Sequence, residues 1–198
     1  IVGYATLDKV PEGWIGIYNW NDLNSIRNNL GGNYILMNDL DSSSSGYDDY
    51  ASENANEGEG WEPIGDTYSY FTGTFDGNNH TISDLYLSRI TDYLGLFGHV
   101  SGNISNIKLS DINVIGGSGV GGLVGTLIGG TIESSYSTGS VEGGQDVGGL
   151  VGSNYEGTIK NSYSTGNVEG GDYVGGLVGT SYVGTIENSY STGSVEGG

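Results

Sequence analysis

Apolar and glycine positions recur along this chain at a fixed long interval rather than a helical one. A Gly-Leu-apolar-Gly tetrapeptide stands at Gly95-Leu96-Phe97-Gly98, Gly122-Leu123-Val124-Gly125, Gly149-Leu150-Val151-Gly152 and Gly176-Leu177-Val178-Gly179, each copy 27 residues after the last. Ile132, Ile159 and Ile186 keep the same interval, as do Tyr136, Tyr163 and Tyr190, and Val141, Val168 and Val195. Self-similarity of this length is the signature of a solenoid. Each copy reads as three short stretches of β-branched and aromatic residues punctuated by glycine, too short for helices and without a 3.6-residue period. The pattern therefore predicts an all-β fold, a parallel β-helix with 27-residue coils, each strand pairing with its counterpart one coil away at about 4.8 Å. The usual crossover sense makes it right-handed.

The earliest copy departs from the pattern. After Gly98 the chain reads Asn103-Ile104-Ser105-Asn106-Ile107-Lys108-Leu109, one residue out of step, and the register returns at Val114. This predicts a coil of the same solenoid with a compensated insertion and deletion at its turns.

Upstream, one stretch has a helical pattern: Leu23, Ile26 and Leu30 share a face, asparagines precede it and Gly31 stops it. A helix near 21–30 would cover the open end of the first coil, as solenoid ends require. Residues 33–41 read as a first strand, and 71–82 as two strands around an Asp76-Gly77-Asn78 turn. Residues 42–60 form a Ser-rich, then acidic, insertion that reads as a solvated loop. The organisation expected is a single domain over 1–198: a cap at 1–32, leading coils at 33–94 and repeats at 95–198. Glu196-Gly197-Gly198 stands where another Val-Gly-Gly-Leu-Val-Gly is due, so further repeats or domains of the same chain are expected.

Composition narrows the partners. The chain carries 39 glycines, 15 tyrosines, no cysteine and a formal charge of −19 with only 5 Lys plus Arg. Nucleic acid and polyanionic polysaccharide are poor partners for such a surface, because binding phosphate or sulfate needs a basic footprint. No apolar run approaches the length of a membrane span, so direct membrane insertion is not expected. A Gly-, Ser-, Thr- and Asn-rich repeat suits a secreted or cell-surface chain.

Stacked repeats leave little room for a single catalytic centre. The histidines are His80 and His99, without a His-Glu-x-x-His pair, and no Gly-x-Ser-x-Gly elbow occurs. Both histidines read as turn or edge residues. Parallel β-helices can host polysaccharide lyases and glycosidases, so a carbohydrate-active enzyme is the alternative, although bases are scarce. The best recognition surface is the column of Tyr136, Tyr163 and Tyr190 beside the column of Thr138, Thr165 and Thr192. Aromatic faces and hydroxyls bind glycan or protein without charge. Whether the tyrosines face out depends on a bend at Ser134, Asn161 and Asn188, which would invert the alternation. The hydroxyl array also makes ice binding a minor alternative. No cofactor is expected apart from calcium, for which Asp39, Asp41, Asp48 and Asp49 supply hard oxygen ligands close in sequence.

The tetrapeptides, with Trp61-Glu62-Pro63-Ile64-Gly65 and Phe75-Asp76-Gly77 upstream, resemble the GLUG-motif repeats of bacterial and archaeal surface proteins. Similar repeats occur in filamentous-haemagglutinin-like adhesins and beside the catalytic domains of some immunoglobulin A-cleaving metallopeptidases. The resemblance covers roughly residues 14–198. It implies a stalk or adhesive module and assigns no catalytic residue. The expected function is thus a non-enzymatic adhesion or spacer module that binds glycan or surface protein through a repetitive face.

Overall fold

Short β-branched segments between glycines extend and pair with their copies one coil away in the computed structural model, which describes residues 6–198. Residues 1–5 of the expected cap lie outside the described residues. Strand pairs run parallel, with Val124 opposite Val151, Ile132 opposite Ile159 and Val141 opposite Val168. The 27-residue period is thus the length of one coil.

Each repeat has four faces, not the expected three. A seven-stranded sheet runs from Ile15–Ile17 through Asn33–Leu36, Thr74–Asp76, Asn103–Ser105, Thr131–Glu133 and Thr158–Lys160 to Thr185–Glu187. A second sheet carries Lys108–Ile115, Tyr136–Glu142 and their successors. The stretch read as one Val-Gly-Gly-Leu-Val-Gly strand bends at its glycine pair. It splits into a three-stranded sheet (Ser118–Gly121, Gln145–Gly148, Asp172–Gly175) and a four-stranded one that begins with Phe97–Val100 and Val124–Ile128.

Close approach explains those glycines. A Cβ on Gly149 would collide with the Ser164 hydroxyl, which points inward from the opposite face of the coil, and one on Gly125 would overlap the backbone of Tyr93 and Leu94 in the coil before. Any side chain there would force the coils apart. Between the glycines, Leu123, Val124, Leu150 and Val151 are fully buried. They form one core with the Ile104, Ile132, Ile159 and Val114, Val141, Val168 columns. Each fully buried Leu, Ile or Val contributes about 1.5–3 kcal/mol, but only because the neighbouring coil supplies the other half of its contacts.

The out-of-step coil belongs to the same solenoid, as its sequence predicts, but its extra residue lies within a strand pair rather than at a turn. Lys108 pairs with Tyr136 and Ile112 with Gly139, and the extra residue is absorbed by an irregularity between Ser137 and Gly139.

The N-terminal region differs from expectation in four ways. The first strand is Ile15–Ile17, which pairs with residues 34–36, and the strand expected over 33–41 ends at Leu36. The helix is shorter and one residue earlier, Trp20–Ser25, followed by a 3₁₀ turn at Ile26–Asn28; Asn19 caps it by accepting from the Asp22 N–H at 3.1 Å. It lies inside the first coil rather than before it. Trp20, Leu23 and Ile26 are buried, and Trp20 packs on Trp61 at 5.7 Å and Tyr47 at 5.9 Å. The strands over 71–82 are not a hairpin, since Thr74–Asp76 and Thr81–Ser83 belong to different sheets and flank a corner of the coil. Finally, the insertion at 42–60 is folded: it contains the helical turns Tyr47–Tyr50 and Ala55–Gly58, and Ala51 is buried. Tyr47 and Tyr50 packing on the core recovers apolar burial that its acidic composition hid.

Candidate functional site

The orientation of the tyrosine column is set two residues upstream. Ser134, Asn161 and Asn188 adopt left-handed backbone, with φ of 50°, 52° and 50°, a conformation asparagine tolerates better than most residues. The bend shifts the in-out alternation, so Ser135 and Ser137 point inward while Tyr136 and Thr138 point outward. The inward serines close the bend. The Ser135 N–H donates to Ser162 Oγ at 3.1 Å and the Ser162 N–H to Ser189 Oγ at 3.1 Å, while the Ser162 hydroxyl donates to the Lys160 carbonyl at 2.9 Å.

Outside, the phenol rings stack on one another. Tyr136 and Tyr163 lie 4.7 Å apart at 15°, and Tyr163 and Tyr190 lie 5.1 Å apart at 5°. Tyr136 and Tyr163 are half-buried and Tyr190 is exposed. Burial raises the Tyr136 and Tyr163 phenol pKa values above the ordinary one; for Tyr163 the neighbouring phenols add to it. The ring faces expected to meet a ligand are therefore occupied by the neighbouring tyrosines. The column presents edges and hydroxyls instead. Beside it, Thr165 and Thr192 are exposed, whereas Thr138, at the pairing irregularity, is half-buried.

Of the four carboxylates expected to hold calcium, Asp39 and Asp41 accept hydrogen bonds from nearby residues. Asp39 Oδ1 lies 3.0 Å from His80 Nδ1 and accepts from the Thr81 N–H at 2.8 Å. Asp41 Oδ1 accepts from the Ser43 N–H at 2.9 Å, the Ser43 hydroxyl at 2.7 Å and the Ser44 hydroxyl at 3.1 Å, and the Ser43 hydroxyl is the main reason its pKa falls below the usual carboxylate value. Asp48 and Asp49 sit in the first turn of the Tyr47–Tyr50 helix. Among the described residues, no group of three or more His, Cys, Asp or Glu side chains is placed to hold a metal ion.

Sequence reasoning missed a cleft of about 420 Å³ on the leading coils, lined among others by Arg27, Glu62, Asp66, Asp92, Tyr93 and His99. Arg27 lies over the Trp61 ring at 4.7 Å and donates from Nη2 to the Glu62 carbonyl, yet Nη1 and Nε have no hydrogen-bond partner. Burial lowers its pKa to about 10, opposed by the Glu62 carboxylate 3.6 Å away, so it stays charged at neutral pH. Arg89, also at the cleft, is anchored to Glu59 at 2.6 Å and to the Trp61 carbonyl at 3.1 Å. His99, read from sequence as a turn or edge residue, is 4% exposed. It stacks on Tyr70 at 5.4 Å and meets Tyr93 edge-on at 4.6 Å, and its Nδ1 has no partner. Burial holds the imidazole pKa below its ordinary value, with Asp66 pulling the other way. One sequence signal could have found the site. His99 pairs in register with Thr126, which pairs with the small Ser153, so the histidine is the departure from the column.

Comparison with known proteins agrees with this architecture. Residues 116–142, 143–169 and 170–196 match the family model "The GLUG motif". The chain is 36% identical over 125 residues to halomucin of Haloquadratum walsbyi, covering 59% of this chain and 1% of that protein. It is 36% identical over 93 residues to a "Putative Gly-rich membrane protein" of Evansella cellulosilytica, covering 44% of this chain and 10% of that one. Among solved structures, a "putative immunoglobulin A1 protease" from Bacteroides ovatus superposes with a TM-score of 0.70 at 26% identity, over 90% of this chain and 56% of that one. The chain thus spans a small part of its sequence relatives and about half of the structural one. Residues 116–196 are three consecutive GLUG motif repeats, each built as one coil of a parallel β-solenoid.

Proposed function

We propose that this solenoid is a non-catalytic module of an extracellular or cell-surface protein, acting as a spacer and adhering to glycan or surface protein through the outward strip of Tyr136, Tyr163, Tyr190, Thr165 and Thr192. The observation that carries this reading is the strip itself, a half-exposed row of phenols repeating at 4.7 and 5.1 Å. Its stacking rigidifies side chains that would otherwise lose rotamer freedom on binding, which lowers the cost of contact. The strip offers regularly spaced hydroxyls rather than free ring faces, and so suits a partner that is itself repetitive. Halomucin and the Gly-rich membrane protein carry names that fit a surface setting. The likeness to the putative immunoglobulin A1 protease is one of fold, and this chain has no His-Glu-x-x-His pair with which to build a zinc peptidase centre.

Binding to a glycan array and to immobilised surface proteins, wild type against a Tyr163→Ala, Tyr190→Ala double variant, tests the assignment. Binding that falls severalfold in the variant, with the fold intact, supports it. Hydrolysis or elimination of a neutral or acidic polysaccharide, abolished by replacing a single carboxylate, would replace it with the enzymatic reading.

A further inference from the structure

Among the described residues, the leading-coil cleft brings together unpaired buried polar atoms, an exposed aromatic and loops outside the repeat, and solenoid stacking does not require them. We propose that it binds a neutral sugar residue, a hexose or hexose disaccharide at the end or side of a glycan. Three observations select that chemistry.

The first is hydrogen bonding. Arg27 brings Nη1 without a partner, its Nε facing only the Glu62 carboxylate at 3.6 Å, and His99 brings an unpartnered Nδ1 on a side chain that is almost wholly buried. Leaving such groups unpaired is costly unless a ligand or water satisfies them. A guanidinium needs an acceptor, whereas a neutral imidazole nitrogen takes either a donor or an acceptor according to its tautomer. A hydroxyl can serve both.

The second is charge. Arg27 and Arg89 face Glu62, Asp66 and Asp92 around the same cleft. Arg89 is already paired with Glu59, and the chain as a whole carries −19. Carboxylates that outnumber free cations disfavour an anionic ligand, and the guanidiniums disfavour a cationic one. Asp66 and Asp92 each use Oδ1 for backbone N–H groups, Asp66 for Tyr68 and Ser69 and Asp92 for Ser118. Their remaining lone pairs suit sugar hydroxyl donors.

The third is shape. A volume of about 420 Å³ falls within the range typical of small-molecule pockets, roughly 300–1,000 Å³. Tyr93 remains 37% exposed at the wall and offers ring surface to the apolar C–H face of a sugar. The site is independent of the tyrosine strip, which lies on other coils.

The test is a titration of isotope-labelled protein, followed by amide chemical shifts, with glucose, galactose, mannose, N-acetylglucosamine and their common disaccharides, and with glucuronate as the charged comparator. The expected result is saturable shifts at Gly65, Asp66, Thr91, Tyr93 and His99 with at least one neutral sugar. Arg27→Gln and Tyr93→Ala should each weaken binding by about tenfold, the scale of one lost charge-assisted hydrogen bond or aromatic contact, while Tyr182→Ala, exposed and outside both the cleft and the tyrosine strip, leaves it unchanged. Absence of saturable shifts with every neutral sugar at tens of millimolar overturns the proposal without need of any variant. So does tighter binding of glucuronate, or shifts confined to the Tyr136, Tyr163, Tyr190 strip, the last of which would leave the adhesive reading standing.

Discussion

At the scale of single residues, the structure is governed by groups that the interior cannot leave unpaired. Ser162 is 1% exposed and joins two coils, accepting from the Ser135 N–H and donating to the Lys160 carbonyl. Replacing Ser162 with alanine removes one small atom, yet it strands a buried backbone donor, so it should destabilise the fold by about 1–3 kcal/mol. Urea denaturation reads that loss as a lowered midpoint at unchanged slope. A loss of less than about half a kcal/mol would show that water or backbone movement replaces the hydroxyl. Ser135, Ser162 and Ser189 recur at the 27-residue interval, but their direction was not legible, because it hangs on whether Ser134, Asn161 and Asn188 bend the chain. His99 stood out in the sequence only as a departure from its column, and its ring contacts with Tyr70 and Tyr93 were not legible, because the three meet only when the coil closes.

At the scale of elements, the 27-residue columns were legible because equal spacing gives every copy the same neighbours, and the pairing of Val124 with Val151 and Ile132 with Ile159 follows directly. The fourth face and the Ile15–Ile17 strand were not legible. A three-residue strand carries too little pattern to separate from a turn, and a bend at two glycines looks like one strand with weak spots. The tyrosine ladder makes a prediction of its own. Burial raises the phenol pKa of Tyr136 and Tyr163 in the folded state, so the folded protein holds those protons at a pH where the unfolded chain releases them. The stabilisation is complete below the unfolded value of about 10 and declines as pH rises through the folded values. Titration of tyrosinate absorbance alongside circular dichroism should show ionisation of these two residues above pH ~10 accompanied by loss of structure. Full ionisation at the ordinary value with the fold retained would mean that the rings are freely solvated.

At the scale of the molecule, the outer surface holds more negative charge than its ladders can pair. Lys160 sits between Glu133 and Glu187 in register and bridges Glu133 at 3.1 Å, whereas Glu142, Glu169 and Glu196 follow one another with no cation between them. Carboxylates one strand spacing apart repel, and the whole chain adds a field of −19. Screening shortens from about 10 Å at 0.1 M salt to about 3 Å at 1 M, so the melting midpoint should rise across that range. A midpoint that falls or stays flat would assign the rows a bound counter-cation instead. The parallel register has a mechanical consequence. Each coil is joined to its neighbours alone, so tension applied between the two ends is borne by one ladder of hydrogen bonds after another rather than by the molecule at once. A coil peeled from the stack frees 27 residues, roughly 90 Å of extended chain at about 3.3–3.6 Å per residue, in place of the few ångströms it occupied along the axis. The repeat coils, pulled this way, lengthen in equal steps under load and keep the remaining coils folded while they do so.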